Sequence, residues 1–110
     1  MKELRDLNGN LIFTYDSLVN KDLRGLDLHE ANLQKANLQS ANLEGANLQG
    51  TNLQGADLRS ADLRGANLSD ADLRWAILKG ANLYNTDLRW ANLKGADLYD
   101  ADLEGAKIKS

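Results

Sequence analysis

The sequence predicts an all-β solenoid, and three observations predict it. Leucine recurs every fifth residue from Leu18 to Leu103 without a gap, and Ile108 completes nineteen centres, (108 − 18)/5 + 1. Two places before nearly every centre from Ala31 to Ala106 stands alanine, with Thr51 and Thr86 as exceptions, and between the two stands mostly Asn or Asp. A helix does not fit this period. Five residues advance about 500° around a helix, so successive leucines would scatter around the cylinder instead of forming a stripe. Asn, Asp and Gly, all poor helix formers, would also recur in every turn. In an extended segment the alternation of side chains puts the centre and the residue two before it on one face and the Asn or Asp on the other. The two remaining residues make a corner. Three extended residues and a corner, repeated unchanged, wind the chain into coils that stack through backbone hydrogen bonds about 4.8 Å apart.

The elements follow in order. Residues 1–15 break the repeat and are expected to form a capping hairpin. Asn8-Gly9 lies between two β-prone runs, which is a strong short-range hairpin signal, and one register puts Leu4, Leu11 and Phe13 on a common face. Residues 16–110 are expected to form the coils. The first units are irregular, because Asp16, Lys21 and Leu26 stand where the small inward residue belongs. That implies a gradual approach to regular coils, with room below for the lid to fill. At the other end the repeat runs to "AKIKS" with no comparable cap, and Lys107 and Lys109 flank Ile108 as charges that discourage edge pairing.

The pattern of "ADLRG" at 61–65 and "ANLYN" at 81–85 resembles the pentapeptide-repeat family, over residues 16 to 110. The resemblance implies a right-handed quadrilateral β-helix with four units and twenty residues per coil. Nineteen units then give about 4.75 coils, a rod of roughly 23 Å at the strand spacing.

Composition narrows the function. The net charge of −3 argues against nucleic acid as a partner, since binding phosphates needs an excess of Lys and Arg. Without cysteine there are no disulfides and no thiolate metal sites, which fits a reducing compartment such as the cytoplasm. No secretory signal and no apolar run long enough to span a membrane is visible. A filled rod with convex faces offers no concave site, so no enzyme activity, cofactor or metal is expected. The Asn and Asp residues are expected to bond backbone at the corners. His29, the only histidine, should lie solvated on the surface, and the corner glycines Gly45, Gly50, Gly55 and Gly65 should serve turns.

Columns of residues twenty apart carry the functional signal. In the outward column Ser17, Asn37, Asp57, Ile77, Asp97, only Ile77 is apolar. Trp75, Trp90 and Tyr99 stand at outward positions of the late coils. With Leu103 and Ile108 at the open end they are the candidate interface residues, since Trp and Tyr are enriched at interfaces. The expected role is a rigid module that presents flat faces to a protein partner, with a homodimer through the C-terminal coils as one form of assembly. The resemblance implies an alternative, mimicry of duplex DNA and binding to DNA gyrase with quinolone resistance. Against it, Arg59, Arg64 and Arg74 follow two residues after Asp57, Asp62 and Asp72 and break any acidic stripe. Ice binding needs threonine arrays, and only Thr14, Thr51 and Thr86 are present.

Overall fold

A computed structural model describes all residues, 1–110. The repeat folds as a four-sided coil. Each residue between alanine and leucine pairs in parallel with the residue twenty further on, from Asp22↔Asn42 to Asp87↔Lys107. Face 1 carries the outward column Asn37, Asp57, Ile77, Asp97. Face 2 carries Asp22, Asn42, Asp62, Asn82, Asp102. Face 3 carries Asp27, Asn47, Asn67, Asp87, Lys107, and face 4 carries Asn32, Asn52, Asp72, Asn92.

One unit shows why the period is five. Leu63 N–H donates to the Asn82 carbonyl (2.8 Å) and Gly65 N–H to the Tyr84 carbonyl (2.9 Å), both in the coil above. Asp62 N–H donates to the Ala41 carbonyl (3.0 Å) in the coil below. Ala66 N–H closes the corner on the Leu63 carbonyl (3.0 Å). The second corner residue has positive φ in every unit from Asn20 to Gly105. A four-residue turn with φ > 0 at its third position is of the type II kind, which explains the glycines and Asn there. Each corner that follows an outward Asn or Asp is braced from outside as well, as when the Asn32 carboxamide oxygen accepts from Gln34 N–H (3.2 Å).

The core is a set of leucine columns. Leu38, Leu43, Leu48, Leu53, Leu58, Leu63, Leu68, Leu73, Leu78 and Leu83 are wholly buried, and the alanines between them nearly so. Thr51 and Thr86 replace alanine at inward positions. They satisfy their hydroxyls on backbone, Thr51 on the Leu48 carbonyl (2.8 Å) and Thr86 on the Leu63 carbonyl (2.6 Å). They are therefore not an exposed threonine array.

The lid is an antiparallel hairpin of β1 (Lys2–Arg5) and β2 (Leu11–Tyr15). Two details depart from the sequence reading. The connection is a three-residue loop, Leu7 to Gly9, rather than a two-residue Asn8-Gly9 turn. Asp6 N–H donates to Asn10 O (2.9 Å), Gly9 N–H returns to Asp6 O (3.0 Å), and Gly9 has φ +86. This is a turn finished by a left-handed glycine. The register also shifts between Leu4 and Arg5, so Ile12 is extra in β2. Such a bulge breaks the alternation. Leu4 is buried, Ile12 and Phe13 pack on the core, and Leu11 turns out to solvent instead of sharing their face. The hairpin docks on face 4, where Leu7 N–H bonds Glu30 O (2.8 Å) and Asn32 N–H bonds Arg5 O (2.8 Å).

The irregular first units are also corrected. Asp16 does not occupy the inward position but turns out to solvent beside the Met1 amine, while Leu26 keeps the inward place in the ladder yet is 40% exposed at the open lower end. Lys21 is half-buried. A carboxylate has no partner inside an apolar coil, so the rung at 16–18 leaves face 1 unpaired below Asn37. The lid therefore does not fill all the space beneath the coils. A cleft of about 360 Å³ remains between Asp16–Val19, Lys2 and residues 32–37. The molecule measures 35 × 25 × 24 Å, a square section with the long dimension extended by the lid.

Candidate interaction surface

The outward Asp and Asn residues do at the corners what their spacing suggested, and where Arg stands two residues on they do more. Asp57 accepts Arg59 Nε on Oδ1 (2.9 Å) and Nη2 on Oδ2 (2.7 Å). The same two-pronged contact joins Asp22 to Arg24, Asp62 to Arg64, Asp72 to Arg74 and Asp87 to Arg89. The hydrogen bond from Arg24 holds the Asp22 carboxyl down to about 2, against an ordinary 3.8. Asp57, Asp62, Asp72 and Asp87 are lowered for the same reason, each first by its own arginine. His29 is exposed but not unpartnered. Its Nδ1 lies 2.8 Å from Asp27 Oδ1, the position an arginine takes elsewhere, and that bond raises its pKa above 6.5. The carboxylates are thus engaged in corner bracing and ion pairing. No group of three or more His, Asp or Glu side chains is placed to hold a metal ion.

The six candidate interface residues fall in three places. Ile77 lies on face 1, half-buried between Asp57 and Asp97, with Trp75 at the corner before it. Tyr99 stands at the corner after it, one coil higher, 65% exposed, with Lys79 Nζ over its ring at 5.6 Å. Trp90 lies on the far side of face 4, 52% exposed, with Arg89 and Lys109 over its ring at 6.0 and 5.7 Å. Leu103 and Ile108 are inward positions of the last rung. Leu103 is partly buried on the core, while Ile108 is 64% exposed. Tyr84 was missed: it is 42% exposed at the corner between faces 2 and 3. Its signal was present in "ANLYN", an aromatic immediately after a centre, the place Tyr99 also takes.

Trp75 needs a feature of the next coil. Its indole lies over Gly95, where a Cβ would overlap the ring and approach Cδ2 to 2.7 Å. The corner column Lys35, Gly55, Trp75, Gly95 thus alternates a long side chain with a bare corner that receives it.

A family model for pentapeptide repeats (8 copies) matches residues 17–45, 41–80 and 73–109. The chain belongs to the pentapeptide-repeat family, and its coil is that family's right-handed quadrilateral β-helix. Among solved structures it is similar to a pentapeptide repeat protein from the Arabidopsis thaliana thylakoid lumen. Identity is 33% and the TM-score 0.79, over 82% of this chain and 63% of that one. It therefore spans less than two thirds of that relative's length. A pentapeptide repeat protein from Nostoc PCC 7120 is 38% identical with a TM-score of 0.68, over 81% of this chain and 85% of that one. QnrB1, a plasmid-mediated fluoroquinolone resistance protein, is 26% identical over 68% of this chain and 39% of its own. Its TM-score is 0.39. No curated protein sequence matches the chain.

Proposed function

We propose that this chain is a non-catalytic protein-interaction module whose late coils form the contact surface. The observation that carries this is the exposure of Trp75 and Trp90, at 59% and 52%, on a scaffold whose core is closed in the coils below. Trp and Tyr at the centre of a contact supply most of its energy in typical interfaces. A rod made of ladder bonds and stacked leucines holds such side chains in fixed places, so little ordering remains to be done on binding.

The gyrase-binding alternative would need a continuous acidic surface. The arginine pairing of five aspartates works against it. Asp97, Asp100, Asp102 and Glu104, at the upper end, have no cation within ion-pairing distance, and the other unpaired carboxylates, Asp6, Glu30 and Asp70, lie apart from them lower on the rod. Self-association through the last coils is the second form of assembly we propose, supported by the exposed Ile108 and half-buried Leu103.

The test is a pull-down from native lysate with wild type and a Trp75→Ala/Trp90→Ala variant. A partner held by the first and lost by the second is expected; identical recoveries reject the late coils as the contact surface. A gyrase supercoiling assay with ciprofloxacin decides the alternative. Light scattering at micromolar concentration, repeated with Ile108→Lys, decides the dimer.

A further inference from the structure

Resting on that reading, we infer that face 4 of the upper coils is a docking site for an extended acidic segment of a partner protein. Face 4 there is flanked by two indoles. Trp90 stands at the corner that leads into Ala91–Leu93, and Trp75, rising from the coil below, lies against Gly95 at the corner that leads out. Asn92 lies between the two indoles. Its Oδ1 is taken by Lys94 N–H (3.1 Å), while its Nδ2 donates to nothing in the chain and is free for a passing carbonyl. A face bordered by two indoles, with an amide donor between them, suits an extended peptide, whose backbone is unpaired and whose side chains meet the rings.

Two further observations say what occupies it. Both tryptophans sit in the left-handed region, φ 62 and φ 59, where bulky residues are rarely found. The remaining residues of their two columns are Gly, Lys, Glu, Asp and Ser. The left-handed φ is common to every corner from Asn20 to Gly105, so what sets these two corners apart is the indole each one carries. The charge then chooses the ligand. The corner column Gln34, Gln54, Arg74, Lys94 beside this face ends in two stacked cations and contains no carboxylate, on a chain of net charge −3. Lys94 has no acidic partner within ion-pairing distance, and Arg74, although held by Asp72, keeps 41% of its side chain exposed. Two stacked cations next to the indoles are complementary to carboxylates spaced along an extended chain.

Trp75 and Trp90 are the only tryptophans, so their emission reports on this site alone. The probe is an end-capped decapeptide of alternating Glu and Pro, a composition that keeps the chain extended. The Gln-Pro and Lys-Pro decapeptides and an oligothymidine strand serve as comparisons. Expected are a saturable emission change with the Glu peptide and at least tenfold weaker binding in 0.5 M salt. Lys94→Glu, confirmed folded by circular dichroism, should weaken it equally, and Lys21→Glu at the far end should leave it unchanged. No saturable change with the Glu peptide overturns the inference, as does equal binding of the Gln or Lys peptide. Tighter binding of the oligothymidine overturns it in favour of nucleic acid. Emission that varies with the protein's own concentration, with a dimer in light scattering, overturns it in favour of a second copy. If the double tryptophan variant still captures its lysate partners, the broader reading has failed. If capture is lost in that variant but the Glu peptide does not bind, only the acidic ligand is wrong.

Discussion

Gly95 does two separable things. It holds φ +72 at a corner, and it leaves room for the Trp75 indole. Gly45 holds φ +68 with nothing within 4 Å of a would-be Cβ, so it does only the first. Gly45→Ala should therefore show the backbone effect alone, about 1–2 kcal/mol for an L-residue in the left-handed region. Gly95→Ala should lose more than that and should also shift tryptophan emission to longer wavelength as Trp75 is pushed into water. Chemical denaturation and fluorescence of the two variants check this; equal losses with unchanged emission would remove the stacked geometry.

At the scale of the repeating unit, the inward alanine is small because leucines from neighbouring units already fill the coil. Ala61 is 1% exposed, between the wholly buried Leu58 and Leu63. Ala61→Leu adds three carbons to a closed interior and should destabilise by about 1–3 kcal/mol or more. For a domain of this size that is a fall in Tm of several degrees. Ala61→Ser should cost less, because Thr51 and Thr86 show that a hydroxyl at this position finds a carbonyl. A wild-type melting temperature for the leucine variant would contradict the inward assignment.

Across the whole molecule, the paired aspartates tie stability to acid. The carboxyls of Asp22, Asp57, Asp62, Asp72 and Asp87 have lower pKa values folded than the 3.8 of the free side chain. Protons therefore bind the unfolded chain more readily. The stability these pairs contribute is fully present above about pH 4 and is lost as pH falls toward about 2, the value reached by Asp22. Melting followed by circular dichroism should give no fall in Tm from pH 7 to 5, where protonation of His29 beside Asp27 works in the stabilising direction, and a decline between 4 and 2. Replacing Arg59, Arg64, Arg74 and Arg89 by Gln should shrink that decline. A Tm unchanged down to pH 2 would show that the pairs contribute nothing to folding.

The sequence by itself determined the coil. A strict period of five, with Leu and Ala at fixed offsets, has one way to bury both, and each unit touches only its neighbours, so local pattern and tertiary contact carry the same information. With the twenty-residue turn that the family resemblance implies, residues stack into columns before any coordinates, and Trp75, Ile77 and Tyr99 fall around one face. Tertiary structure decided what breaks the period. In the hairpin, a bulge at Ile12 sent Leu11 outward, because the docking of the lid, not alternation, sets which side chains meet the core. At the first rung, Asp16 turned away from the apolar interior and left the cleft below Asn37. The stacking of Trp75 on Gly95 and the exposure of Trp90 across face 4 came from the same source. They depend on the direction each side chain leans from a left-handed corner, and a one-dimensional pattern carries no record of that direction.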